Sequence, residues 1–167
     1  MKVRQSTFLD CQSIMEMIDQ AKTYFKEQGI DQWQNGYPNI EVIKQDIEQE
    51  NSFVLVKDEV PIATAVLTFE PELSYERVYD GGWLSHQPYG VIHRVAVQNE
   101  LKGQGISTQM IKALEGICLD QNIRSLRVDT HEDNLSMQRL LKKNGFLTCG
   151  FVYLPCGGKR KIFEKLL

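Results

Sequence analysis

The stretch VIHRVAVQNELKGQGIST, Val91 to Thr108, reads as an apolar strand, a polar turn, two glycines flanking one residue, and the first turn of a helix. The first N–H groups of a helix have no intrahelical partner, and the aligned peptide dipoles add partial positive charge there. Gly103 and Gly105 let the backbone take positive φ and come close to a ligand. A turn of this composition suits a phosphate or pyrophosphate.

Two common phosphate motifs do not fit. A P-loop places Lys and then Ser or Thr directly after its last glycine, whereas Ile106 follows Gly105. A dinucleotide fingerprint needs G-x-G-x-x-G straight after the strand. Here Gln98 to Lys102 intervene, and Thr108 takes the third glycine position. A later strand pattern, SLRVDT, carries Asp129 about where a ribose-binding acid belongs, so a nucleotide-binding oxidoreductase stays open at this point.

The segment resembles the acetyl-CoA-binding turn of the GNAT N-acetyltransferases, [QR]-x-x-G-x-[GA], in two registers. Glu100-x-x-Gly103-x-Gly105 supplies both small residues, and Lys102-x-x-Gly105-x-Ser107 supplies the basic start. Downstream, DNLSMQRLLKKNGF (Asp133–Phe146) is similar to that family's N-x-x-(small or apolar)-x-x-L-Y-x-x-x-G-F helix. Asn134, Met137, Leu140, Gly145 and Phe146 fall in register, and Leu141 stands where the family has Tyr.

The resemblance spans practically the whole chain. It implies an α/β fold of GNAT type: a mixed, mostly antiparallel twisted sheet of about seven strands, about four flanking helices, and a splay between the fourth and fifth strands. It also implies acetyl-CoA as co-substrate. The pantetheine arm is expected along Val95, Ala96 and Val97. The pyrophosphate is expected on the turn of Lys102, Gly103, Gln104, Gly105, Ile106, Ser107 and Thr108, with Asn134 and Leu141 contributing from the later helix. The family's Tyr protonates the departing thiolate. Leucine cannot, so either another donor such as water, Ser136 or Tyr153 serves, or the thiolate leaves unprotonated, or the protein is a catalytically impaired acyl-CoA-binding or regulatory relative.

An amine acceptor is protonated at neutral pH and must lose a proton before it attacks. His93 is the leading candidate base: an imidazole titrates near about 6.5, and strand alternation puts residue 93 on the face of Val95. Its alternative role is to fill a half-polar slot between sheet and loop. Asp129 is the second catalytic candidate, with Glu70, Glu72 and His131 behind it, and Asp129 and His131 can instead orient the acceptor. Capping of the following helix by Asp133 or Asn134 is the competing role for that polar cluster.

Turn-rich DQWQNGYP and YDGGWLSHQPYG are expected surface loops carrying Trp33, Tyr37, Tyr79, Trp83 and Tyr89. Trp33, Tyr37 and Trp83 are read as acceptor-binding, or as covers for a core edge. Asp31, Asp80 and Glu72 can neutralise a cationic amine. The acceptor is a small molecule, an amino acid or a peptide amine.

The rest of the chain supplies one domain, 1–167, without linker or repeat. Expected elements are a strand over Lys2–Ser6, then a helix capped by Asp10 with the stripe Ile14, Met17, Ile18, Ala21 and Phe25, ended by Gly29. A second helix follows Asn39 with Ile40, Ile43 and Ile47 on one face. Strands Phe53–Lys57 and Ile62–Phe69 turn through Asp58 and Glu59. Helix 105–120, strand Ser125–Thr130, helix Asn134–Asn144 and strands Phe146–Leu154 and Arg160–Leu167 complete the set, the last two joined through Gly157 and Gly158.

A net charge of −3 excludes sequence-independent nucleic-acid binding, which needs a basic surface. With 42% hydrophobic residues but no run of membrane-spanning length, no membrane partner is expected. The opening MKVRQSTF lacks a signal-peptide core, and Cys11, Cys118, Cys149 and Cys156 have no metal or redox spacing. A cytoplasmic protein without a metal is the expectation, with a homodimer open.

Overall fold

The computed structural model describes residues 1–167. Each period read along the chain becomes an element: β1 (Lys2–Gln5), α1 (Cys11–Glu27), α2 (Ile40–Glu48), β2 (Ser52–Lys57), β3 (Val60–Thr68), β4 (Gly90–Val97), α3 (Ile106–Asp120), β5 (Ser125–His131), α4 (Leu135–Lys143), β6 (Leu147–Tyr153) and β7 (Lys159–Leu166). Seven strands form one sheet in the order β1-β2-β3-β4-β5-β7-β6. Pairing is antiparallel at β1–β2, β2–β3, β5–β7 and β6–β7, and parallel at β4–β5. The expected mixed sheet, four helices and splay are all present. A sheet so largely antiparallel is not the parallel sheet of a dinucleotide fold.

The chain divides into two compact units, Met1–Leu67 with Arg94–Ala113 and Thr68–His93 with Leu114–Leu167. In the first, Ile14, Met17 and Ile18 of α1 and Ile43 and Ile47 of α2 bury against Val54 and Val56 of β2 and Ala96 of β4. Fully burying each large aliphatic side chain contributes about 1.5–3 kcal/mol. Gly29 ends α1 at φ +68, and Asn39 caps α2 by accepting the Val42 N–H at 3.0 Å.

Two expectations need correction here. Ile40 is exposed, so the buried face of α2 begins at Ile43. Asp10 stands at the N-cap of α1 but caps nothing there. Its carboxylate accepts the Thr7 N–H at 2.7 Å and takes a bidentate bond from Arg4 at 2.8 and 2.9 Å. Thr7 precedes a short 3-10 turn, Phe8–Asp10, and the carboxylate serves that turn. The Arg4 guanidinium holds Asp10 below the usual carboxylate range, against the opposing push of burial.

In the second unit β7 lies between β5 and β6, over a core of Tyr75, Val91, Cys149, Val152 and Ile162. The long connection from β3 to β4 is held to this sheet by several contacts, two of them backbone-directed. Tyr79 and Phe151 exchange backbone hydrogen bonds of 2.9 and 3.0 Å. Gly150 makes that approach possible: its φ is +113, and a Cβ there would lie 2.3 Å from the Tyr79 carbonyl oxygen. The second anchor is Glu164, completely buried, which accepts from Ser125 Oγ at 2.6 Å, Arg127 Nε at 3.1 Å, Ser85 Oγ at 3.2 Å and the Leu84 N–H. Four donors compensate a desolvated carboxylate that would otherwise be very costly. No helix is long and apolar enough to cross a membrane.

Candidate active site

The parallel pairing of β4 with β5 has only two partners, Gly90 with Leu126 and Val91 with Arg127. Side chains two apart on a strand share a face, and laterally paired residues do too. His93 and Asp129 are therefore the first positions on the Val91–Arg127 face past the end of the pairing. Both catalytic candidates lie in the second unit, just past the last paired residues of β4 and β5. Their partners differ. His93 Nε2 shares a long hydrogen bond of 3.4 Å with Thr68 Oγ1. Asp129 Oδ2 accepts from the Tyr75 phenol at 2.6 Å.

Tyr75 was not legible as a site residue. It is buried to 2% exposure, and its phenol pKa is pushed well up by burial and by the Asp129 charge. Burial lifts Asp129 above the usual carboxylate range and Glu72 adds to the rise, while the Tyr75 hydrogen bond and the Arg160 charge only partly offset it. Trp83 fixes Tyr75 from behind, its indole N–H donating to the Tyr75 carbonyl at 2.9 Å. Trp83 and Tyr89 also enclose Arg127, with ring centroids 4.1 and 3.9 Å from its guanidinium carbon. Trp83 thus packs, half-buried, against the core of the second unit. The Tyr89 hydroxyl accepts the Glu72 backbone N–H at 3.0 Å. Glu70, Asp31 and Asp80 are exposed.

At the end of β5, His131 Nδ1 accepts the Asp133 N–H at 3.1 Å, and Asn134 caps α4 by accepting the Met137 N–H at 3.2 Å. The bland cap role of Asn134 is realised. Leu141 is completely buried on α4, and its carbonyl accepts the Phe146 N–H at 3.0 Å across the Gly145 turn. A tyrosine at 141 would have to fit a closed core, a change that costs about 1–3 kcal/mol.

In the first unit, β4 continues through Arg94, whose φ is +50. A left-handed residue inside a strand interrupts its alternation. Alternation therefore does not carry His93 onto the face of Val95, contrary to what their spacing of two implies. Arg94 clamps Asp46 through Nε at 2.8 Å and Nη2 at 2.6 Å, and its Nη1 donates to the Tyr37 hydroxyl at 2.6 Å. Tyr37, itself exposed, is so tied to β4. Trp33 packs half-buried on the α1–α2 core, edge-on to Phe25 at 5.5 Å. Val95 is half-buried, and Ala96 and Val97 are buried.

The glycine turn has the predicted character. Gly103 and Gly105 take φ +79 and +77, and a Cβ on either would meet nothing within 4 Å. Open space lies above both. The first bond into α3 runs from the Gln109 N–H to the Gly105 carbonyl at 3.1 Å, so the amides ahead of it lead the helix. Gln104 is held by its side-chain amide on the Glu100 carbonyl at 3.1 Å, Ser107 and Thr108 are half-buried, and Ile106 is buried beneath. The Lys102 ammonium lies 4.9 Å from the Tyr24 ring centroid, and burial lowers its pKa.

The acetyltransferase (GNAT) family model matches residues 14–146. A GNAT-family acetyltransferase from Streptococcus agalactiae 2603 superposes with a TM-score of 0.89 at 31% identity, over 99% of this chain and 95% of that one. The chain belongs to the GNAT acetyltransferase family. YesJ of Bacillus subtilis (strain 168), named as an uncharacterized N-acetyltransferase, is 24% identical over 144 residues, 84% of this chain and 78% of its own. The protein yncA from Salmonella typhimurium, solved with its cofactor acetyl-CoA, shares the fold at 15% identity with a TM-score of 0.70, over 99% of this chain and 93% of its own.

Proposed function

We propose that residues 1–167 work as one acetyltransferase domain that moves the acetyl group of acetyl-CoA to a primary amine. The acceptor is a small molecule, an amino acid or a peptide. The amine, its ammonium proton passed to a base, attacks the thioester carbon directly: a C–N bond forms, the C–S bond breaks as CoA leaves as thiolate, and the second proton on the nitrogen passes to solvent, which in turn protonates the thiolate. The observation that carries this reading is the glycine pair at positive φ opening α3 in a member of this family.

Roles are assigned residue by residue from the family motif. Val95, Ala96 and Val97 receive the pantetheine arm, and Gly103 to Thr108 receive the pyrophosphate on backbone N–H groups, with Lys102 beside them. Asn134 and Leu141 take the family's positions beside the cofactor arm. His93 removes the acceptor's proton, with Asp129 beside the acceptor, and Trp33, Tyr37, Trp83 and His131 border it. A strand N–H directed at the thioester oxygen stabilises the tetrahedral centre. Leu141 supplies no proton, but a thiol of ordinary pKa, about 8.5, leaves acceptably with solvent as the acid. That missing donor favours a second reading, an acyl-CoA-binding relative of low turnover. The four cysteines are unpaired, which supports a reducing, cytoplasmic setting.

Thermal unfolding with acetyl-CoA, desulfo-CoA and NAD tests the ligand. A ligand at 100 times its Kd adds about 2.7 kcal/mol to the folded state. For a chain of this size that raises Tm by about 5–10 °C. Acetyl-CoA and desulfo-CoA should both produce this rise and NAD none. Stabilisation by NAD alone would overturn the assignment.

A further inference from the structure

We propose that Tyr75 is a positioning residue for the acceptor: its phenol holds the Asp129 carboxylate in the orientation that binds the acceptor's ammonium group. The proposal rests on the acetyltransferase reading above and adds a residue that the family motifs do not contain.

Three observations carry it. The first is place. Asp129 is the first residue of β5 on its face after the parallel pairing with β4 stops, and His93 is its counterpart on β4. The second is how Asp129 is bonded. Oδ2 is taken by the Tyr75 phenol at 2.6 Å, a length typical of a charged oxygen acceptor. No second partner engages the carboxylate, and Oδ1 is not fully enclosed. A half-buried carboxylate with one oxygen fixed and the other open is oriented toward an incoming donor.

The third observation is how firmly Tyr75 itself is held. Its ring packs 5.0 Å from Trp83 and 6.4 Å from Tyr89, and the Trp83 indole N–H fastens its carbonyl. Trp83 and Tyr89 are in turn fixed by stacking on Arg127, whose charge is compensated by buried Glu164. The loop thus delivers one phenol to one carboxylate and locks it there. The neighbouring charged and titratable groups are Glu72 and Tyr89 from the loop, His93 from β4, His131 further along β5, and Arg160 from β7. The Tyr75 hydrogen bond and Arg160 favour the charged form of Asp129, and burial and Glu72 oppose it. An ammonium ion approaching Oδ1 adds the missing counter-charge.

The test compares Tyr75→Phe, Asp129→Asn and the double variant with the wild type, using the best amine from a panel. Tyr75→Phe keeps the ring and its packing. It should raise the amine KM about 10–100-fold, the range for a hydrogen bond to a charged group, and leave the acetyl-CoA KM unchanged. Losing the phenol raises the Asp129 pKa, so the acid limb of amine binding should move to higher pH. Tyr75→Phe should add nothing in the Asp129→Asn background. A Tyr75→Phe enzyme with wild-type amine KM and an unmoved acid limb would overturn the proposal, as would full additivity of the two changes. If no amine supports turnover, the acetyltransferase reading fails separately, and carboxyl NMR of Asp129 still decides this one. A carboxyl that titrates higher in Tyr75→Phe supports the orienting bond, and an unmoved one refutes it.

Discussion

Gly105→Val is expected to weaken acetyl-CoA binding by about 100-fold while leaving a folded protein. The native φ of +77 is one that a β-branched residue adopts only under strain, at a cost of about 1–2 kcal/mol. The new Cβ would meet no protein atom within 4 Å, so the core has no reason to yield. The side chain projects instead into the space through which a pyrophosphate must approach the leading amides of α3. Losing one hydrogen bond to a charged oxygen removes ~1.5–3 kcal/mol. The strain burdens free and bound protein alike and lowers stability; the lost hydrogen bond and the blocked approach reach about two powers of ten in affinity. Calorimetry on mutant protein with native circular dichroism measures it, and unchanged affinity would remove the turn from the ligand site.

His93→Ala is expected to cost about 10²–10⁴-fold in turnover with acetyl-CoA affinity nearly intact. In the proposed role the base acts only on the acceptor's proton, so its loss is expected in the chemical step rather than in cofactor binding. The acid limb of the pH–rate profile should vanish or move with it. The Thr68 hydroxyl, 3.4 Å from Nε2, is far too weak a base to replace the imidazole. A mutant that retains both rate and profile would transfer the role to Asp129, Glu72 or Glu70.

The sequence carried local order well and distant partnerships poorly. The 3.6-residue stripe of α1, the Asn39 cap, the Gly29 stop and the Asp58–Glu59 turn are all decided within a few residues, and each formed close to its expected bounds. The glycine turn was legible for the same reason. Asp10 misled because its cap-like position is also within reach of Arg4, and a guanidinium competes better for a carboxylate than a second helix start. Arg94 gave no sign of its positive φ, since Arg is not a residue that favours it. Its conformation follows from the Asp46 and Tyr37 partners, 48 and 57 residues away. The Tyr75–Asp129 bond spans 54 residues, and no periodicity encodes such a meeting. Leu141 could be seen to lack a proton donor, but its burial in α4 is a property of the packed fold.

Amine-dependent release of CoA thiol from acetyl-CoA, followed across a panel of small amines, amino acids and peptide N-termini, addresses the central claim most directly. Thiol release should rise with one class of amine, match acetylated product mole for mole, and fall away in His93→Ala. A protein that binds acetyl-CoA yet releases no thiol with any amine would contradict N-acetyl transfer and leave an acyl-CoA-binding relative in its place.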